Sequence, residues 1–285
     1  HLNGKGNPVG DGILFDPWLG QDPFAPKLVC TENCFSNVLF LPGLKASGLY
    51  KNGSSGTEDT LWPPNPFGND IAELGLDSNG TSYKTVYTRD AIDTVYGTEI
   101  YGDFLTQLSD LKTSRTIQDF EAFAYDWRQN VEDIVRDGTR YKGNVTKYPV
   151  SELAALADTS KSRKVTIIAH SNGGLLAKAL MLELERQGKT ELVDKIILVG
   201  TPQMGTPLTT LSLLYGYDET LPAGLMSQSE ARVLGEHMPG AYGLLPSASY
   251  LGRLEAPFIQ FLSSEHTRYK KFREAYDDSI DSFDE

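Results

Sequence analysis

The chain has 285 residues, 38 acidic against 26 basic side chains for a formal net charge of -12, 40% hydrophobic residues and two cysteines. That length suits one large α/β domain with a sizeable core, and no linker-like tract, low-complexity segment or internal repeat divides it. The negative balance argues against nucleic acid as a partner, and no apolar run is long enough to span a bilayer.

Residues 1–36 are rich in Gly, Pro and Asp and read as an irregular lead-in to a domain over 37–285. The chain starts at His1 rather than Met and shows no charged-then-apolar leader, so a mature form or an excised piece is expected. Cys30 and Cys34 permit either one small disulfide or two free thiols, and no further ligands stand near enough for a zinc site. Val38–Leu41 is a short apolar strand, left by the loop Pro42–Ser47. Residues 50–96 are loop-rich, with Trp62-Pro-Pro-Asn-Pro66 opposing regular structure. So long an excursion in a compact domain reads as a functional insertion. Within it, Asp77-Ser-Asn-Gly80 begins like a calcium loop, but no glutamate closes it at the required spacing, so a plain turn is expected. The sequons at Asn52, Asn79 and Asn144 fit an extracellular or cell-envelope location, although some such triplets arise by chance.

Further along, Phe104, Leu105, Leu108 and Leu111 fall at helical spacing, and Phe120–Tyr125 is a second strand. A helix over Val150–Ala157 feeds a β-branched apolar run, Val165–Ala169, of the kind buried on both faces in a parallel sheet. Leu175, Leu176, Ala179, Leu180, Leu182 and Leu184 then give a helix its apolar face. Lys195–Gly200 is read as another buried strand at βαβ distance. The order predicts a mostly parallel sheet covered by helices on both faces.

The junction between the Val165–Ala169 strand and the next helix carries the chemistry. Ala169-His-Ser171-Asn-Gly173 places a serine on a turn between strand and helix, flanked two residues away on each side by small residues. This spacing fits a nucleophile elbow, in which a strained turn lifts the serine hydroxyl clear of the sheet. The alternative is an ordinary Ser-Asn-Gly turn.

Phe40-Leu-Pro-Gly43, Ala124-Tyr-Asp-Trp-Arg128, Ala169-His-Ser-Asn-Gly-Gly174, Gly200-Thr-Pro-Gln-Met-Gly-Thr-Pro207 and Met238-Pro-Gly-Ala-Tyr-Gly-Leu-Leu-Pro246 together resemble the lecithin:cholesterol acyltransferase family of lipid acyltransferases and phospholipases. The resemblance implies an α/β-hydrolase fold with lid and cap insertions, the lid over 50–96 and the cap over 208–285. It implies Ser171 as nucleophile, with an oxyanion hole from the backbone N–H of Asn172 and that of Leu44, or of Lys45 one residue on. It makes Trp62 a candidate for acyl-chain contact, against the alternative of an aromatic wedged into a proline-rich turn. Asp126 and Arg128 take a scaffold role, and His170 is a supporting residue rather than the base.

In this fold an acid and then a histidine follow the serine. Only His237 and His266 do so here, and neither follows a strand ending in an acidic residue. We therefore expect the fold to be incomplete at the C-terminus, with the catalytic Asp and His beyond Glu285. The expected activity is that of a serine hydrolase or acyltransferase cleaving lipid-like esters, as lipase, phospholipase or O-acyltransferase. It needs no cofactor or metal and allows peripheral contact with a membrane or lipid surface. The competing readings are a non-catalytic binding protein of the same fold, and an esterase or peptidase for a non-lipid substrate.

Overall fold

The computed structural model describes residues 34–65, 71–221, 225–255, 257–260, 274 and 279–280. Its organising strand is β1 (Asn37–Leu41), in which all five residues are buried. Alternate side chains of a strand point to opposite faces. Leu39 and Leu41 accordingly join one apolar cluster, while Val38 and Phe40 join another on the other face. A strand buried on both faces must be apolar throughout, as this one is.

An insertion follows, built as a three-stranded antiparallel sheet from β2 (Leu49–Asn52), β3 (Glu58–Trp62) and β4 (Val86–Tyr87), with β2 in the centre. The segment 50–96 is loop-rich as expected, and these strands are the regular part within it. Glycines and prolines punctuate the segment, yet the pairings Tyr50 with Thr60 and Tyr50 with Tyr87 align its backbone. Asp77 makes the expected turn, its Oδ1 accepting the N–H groups of Asn79 and Thr81 at 2.9 Å each. A small hairpin, β5 (Thr94–Val95) and β6 (Thr98–Glu99), leads into α1 (Gly102–Thr113).

Next come β7 (Phe120–Ala122), α2 (Val131–Asp137), the hairpin β8 (Thr139–Tyr141) and β9 (Val145–Lys147), and α3 (Pro149–Thr159). The strand β10 (Val165–His170), the helix α4 (Gly173–Arg186) and the strand β11 (Val193–Val199) complete the central unit. The order β11-β10-β1-β7 is parallel throughout, with Phe40 opposite Ile168 on one side and Ala122 on the other. Leu153 and Leu156 of α3 and Leu176 and Leu180 of α4 cover the Leu39 face. Leu105 and Leu108 of α1 cover the Phe40 face. The arrangement is that of an α/β hydrolase, with helices on both faces.

Asn37 fastens the beginning of β1. Its Nδ2 donates to Leu156 O and Thr159 Oγ1, and its Oδ1 accepts from Gln118 N and Asp119 N, all at 2.9 Å. A fully buried amide is tolerated because its donors and acceptor are matched. Arg128, 1% exposed, grips Asp126 through Nε at 2.8 Å and Nη2 at 2.7 Å. Its Nη1 donates to Leu74 O and Ser82 Oγ, which ties the insertion to the end of the β7 segment. The pair is structural, as the resemblance implied.

Lys195–Gly200 departs from expectation. β11 is not a second buried strand but an edge strand, with Ile197 43% and Val199 49% exposed. Only β10 pairs with it among the described residues. Beyond it lie α5 (Pro207–Tyr215), α6 (Gln228–Gly235), α7 (Pro239–Tyr242), α8 (Ala248–Leu251) and the paired strands β12 (Ile259–Gln260) and β13 (Ser279–Ile280). Cys34 is disulfide-bonded; Cys30, the other cysteine of the sequence, lies outside the described residues, as does nearly all of the 1–36 lead-in.

Candidate active site

β10 ends at His170 and α4 begins at Gly173, so the chain reverses within two residues. Ser171 takes up that reversal with φ +50, in the left-handed region that L side chains rarely adopt. Its N–H donates to Val199 O at 2.9 Å, which anchors the turn to the neighbouring strand. The small residues of the motif have a steric cause. A Cβ at Gly173 would strike the carbonyl oxygen of Leu41, and one at Gly174 would strike the side chain of Thr201. Helix α4 therefore starts hard against the end of β1.

The loop after β1 crosses directly over this turn. A Cβ at Gly43 would lie 3.2 Å from Ser171 Cβ and 3.2 Å from His170 Nδ1. Two tyrosines fix the loop. Tyr125, fully buried, donates its hydroxyl to Pro42 O at 2.9 Å and accepts from Asn172 Nδ2 at 3.2 Å. Burial pushes its phenol well above the usual tyrosine range, so it acts as a neutral pivot. Tyr101 reaches Gly43 N at 3.0 Å and His170 Nδ1 at 2.7 Å.

Asn172 is 1% exposed and caps α4, yet its backbone N–H donates no hydrogen bond among the described residues. The same holds for the N–H groups of Leu44 and Lys45. Buried N–H groups are nearly always paired, so that of Asn172, with no acceptor among the described residues beside a strained serine, is unusual. This N–H stands at the N-terminus of a 14-residue helix, whose dipole favours negative charge.

Trp62 is 6% exposed, packs edge-on against Trp127 at 5.4 Å and donates its indole N–H to Lys45 O at 2.6 Å. These contacts match the wedged aromatic weighed against acyl-chain contact. Lys45 itself has φ +61, its ammonium 5.8 Å from the Trp62 ring and paired with Glu219, which follows α5. Burial lowers its pKa to about 8, against the upward pull of Asp218.

His170 is partly exposed, and burial of its ring lowers its pKa. His237 lies between α6 and α7, where it lines a cleft of about 680 Å³ with Ser78, Asn79, Asn130 and Tyr242. No elbow residue lines that cleft. His266 lies outside the described residues. Ser171 Oγ makes no hydrogen bond among the described residues. Three features escaped the sequence reading: Tyr101, Tyr125 and the Lys45–Glu219 pair. Only Tyr125 had a signal, its place in the Tyr-Asp-Trp-Arg run.

The lecithin:cholesterol acyltransferase family model matches residues 93–282. The match takes in α1, the Asp126–Arg128 pair, the elbow and α5–α8, and begins beyond β1 and its loop. A search among curated proteins finds no match. Among solved structures, the mature form of the Bacillus licheniformis lipase BlEst2 is similar at 16% identity with a TM-score of 0.31, over 86% of this chain. The chain spans 61% of the length of that lipase. With the family model covering well over half of its length, the chain belongs to the lecithin:cholesterol acyltransferase family.

Proposed function

We propose that this chain carries the nucleophile and oxyanion donors of a serine ester hydrolase or acyltransferase acting on lipid-like esters. The observation that carries the reading is Ser171 at φ +50 next to the Asn172 N–H, which has no acceptor among the described residues. In the reaction, Ser171 Oγ forms a bond to the ester carbonyl carbon and gives up its proton to a base. The carbonyl oxygen becomes an oxyanion facing the N–H groups of Asn172 and Leu44, or Lys45. Backbone donors fixed before the charge develops stabilise it without reorganisation. Collapse breaks the C–O bond to the alcohol, which leaves with a proton. The acyl-enzyme then passes its acyl group to water or to an acceptor alcohol. Both outcomes share every step up to the acyl-enzyme, and family membership supports a lipid-like ester as its source.

Ser171 needs an imidazole base oriented by a carboxylate. Uncommitted Ser171 Oγ favours a second reading, a binding protein that retains the elbow without a base. Fluorophosphonate labelling read by intact mass, beside Ser171→Ala and with circular dichroism to verify folding, separates the two. A single adduct lost in Ser171→Ala would mean that these 285 residues hold a working base, bringing His237 and His266 forward and overturning the expectation of a base beyond Glu285. A folded chain without adduct leaves either the binding protein or a base outside these 285 residues, and the same labelling on a chain extended past Glu285 decides between them.

A further inference from the structure

Tyr101 stands 70 residues before Ser171 in sequence and is nearly buried, with its ring edge-on to Phe40 at 4.8 Å and to His170 at 5.8 Å. Its hydroxyl lies between two groups of the candidate site. Gly43 N–H donates to it from 3.0 Å, and His170 Nδ1 lies 2.7 Å away on the other side. A phenol has one proton. The oxygen accepts from Gly43, and its own proton has no acceptor but Nδ1 among the described residues, so the arrangement that satisfies both groups has the phenol donating to Nδ1 and the imidazole proton on Nε2. Burial agrees with this assignment on both sides: it raises the phenol and lowers the imidazole, so both stay neutral.

The relay therefore runs one way, from Gly43 N–H to the Tyr101 hydroxyl to His170 Nδ1. Consecutive bonds of this kind polarise one another. Its effect falls on Leu44. Gly43 N–H is held by Tyr101, and Gly43 O accepts from Ala46 N at 3.2 Å. The Gly43 carbonyl and the Leu44 N–H belong to one planar peptide unit, so fixing the first aims the second. A side chain at position 43 would press on Ser171 Cβ at 3.2 Å, so the loop can lie this close to the elbow only with a glycine there.

We infer that Tyr101 is a positioning residue for the oxyanion loop, holding Gly43 at a set distance from the nucleophile turn by bridging it to His170. The inference rests on the serine acyl-transfer reading. It gives His170 a task other than base catalysis, that of the acceptor ending the relay.

Tyr101→Phe removes the hydroxyl and keeps the ring stack. Removing an oxyanion donor outright costs 100-fold or more in kcat, and loosening one costs less, so labelling of Ser171 and kcat should fall by about tenfold with KM little changed. His170→Leu should give a similar loss while leaving Tyr101 in place. His170→Asn, whose side-chain oxygen can stand where Nδ1 does, should recover most of it. Two readouts need no turnover: hydrogen exchange at the Gly43 amide should quicken in Tyr101→Phe, and ¹⁵N spectra of the parent should show Nε2–H with an unprotonated Nδ1. A reactive parent with an equally reactive Tyr101→Phe would overturn the positioning role alone. So would a proton on Nδ1, or unchanged Gly43 exchange. A parent unreactive at Ser171, also when extended past Glu285, would instead overturn the acyl-transfer reading, and Tyr101 would then be a loop tether without a catalytic part.

Discussion

The neighbouring strands β10 and β11 have nearly the same apolar composition and opposite surroundings. In β10, Val165, Ile167 and Ala169 are fully buried; in β11, Ile197 and Val199 are about half exposed. β10 has strands on both edges and helices over both faces, whereas β11 has a partner on one edge only among the described residues. The exposure continues into α5, where Leu208, Leu211 and Tyr215 line one exposed stripe. Burial belongs to the neighbours of a strand, not to its composition.

An alanine in each strand is the strongest test of that contrast. Ile167→Ala should cost about 3–4 kcal/mol, because it removes a buried side chain and leaves a cavity that rigid neighbours cannot fill. Ile197→Ala, one position beyond Ile196, the ladder partner of Ile167, should cost less than about 1 kcal/mol. Urea denaturation of both variants reads the difference. Equal costs would mean that β11 is covered in solution and would remove the contrast.

The turns at the ends of the two strands sharpen it. Gly173 has ordinary backbone angles but no space, since a Cβ would meet the Leu41 carbonyl. Gly200, at the end of β11, has φ +59 and open space, its nearest contact being 4.0 Å away. Gly173→Ala should therefore cost about 2–3 kcal/mol through overpacking and displace Ser171. Gly200→Ala should cost about 1 kcal/mol of backbone strain and leave the elbow in place. Melting curves with fluorophosphonate labelling of both variants distinguish the two causes. A reversed order would mean that α4 can shift away from β1.

These contrasts bear on what the sequence made legible. β1, β10, α3 and α4 could be read because continuous apolar runs and helical periodicity are local, and the elbow because its spacing encodes a steric demand now visible at Gly173. α2 was also readable. Asn130 caps Glu132 N–H, Val131, Ile134 and Val135 recur at helical spacing, and Gly138 at φ +76 ends it. It was passed over because seven residues give periodicity little room. The strands of the insertion were missed for the opposite reason: glycines and prolines interrupt its sequence, while its order comes from pairings such as Tyr50 with Tyr87. The exposure of β11 and the bond from Tyr101 to His170 had no local signal, since each depends on segments far apart in the chain.

Lys45 joins the two regions, standing on the elbow loop while its partner Glu219 belongs to the segment after α5. Burial lowers its pKa from 10.5 to about 8, so between these values the unfolded chain binds more protons than the folded one. Stability must then rise with pH across that window, and the contribution is lost as pH falls through 8. Solvent still reaches part of the ammonium, so a rise on the order of 1 kcal/mol is expected. Tyr50 and Tyr87, pushed up to about 12, add the opposite slope only above their ordinary value near 10. The informative interval is therefore pH 8 to about 9.5. Melting temperature should climb there in the parent, and Lys45→Met, which keeps the stem over Trp62, should remove the climb. A parent profile as flat as that of Lys45→Met would mean that the ammonium stays hydrated, and that the segment after α5 does not close on the elbow loop.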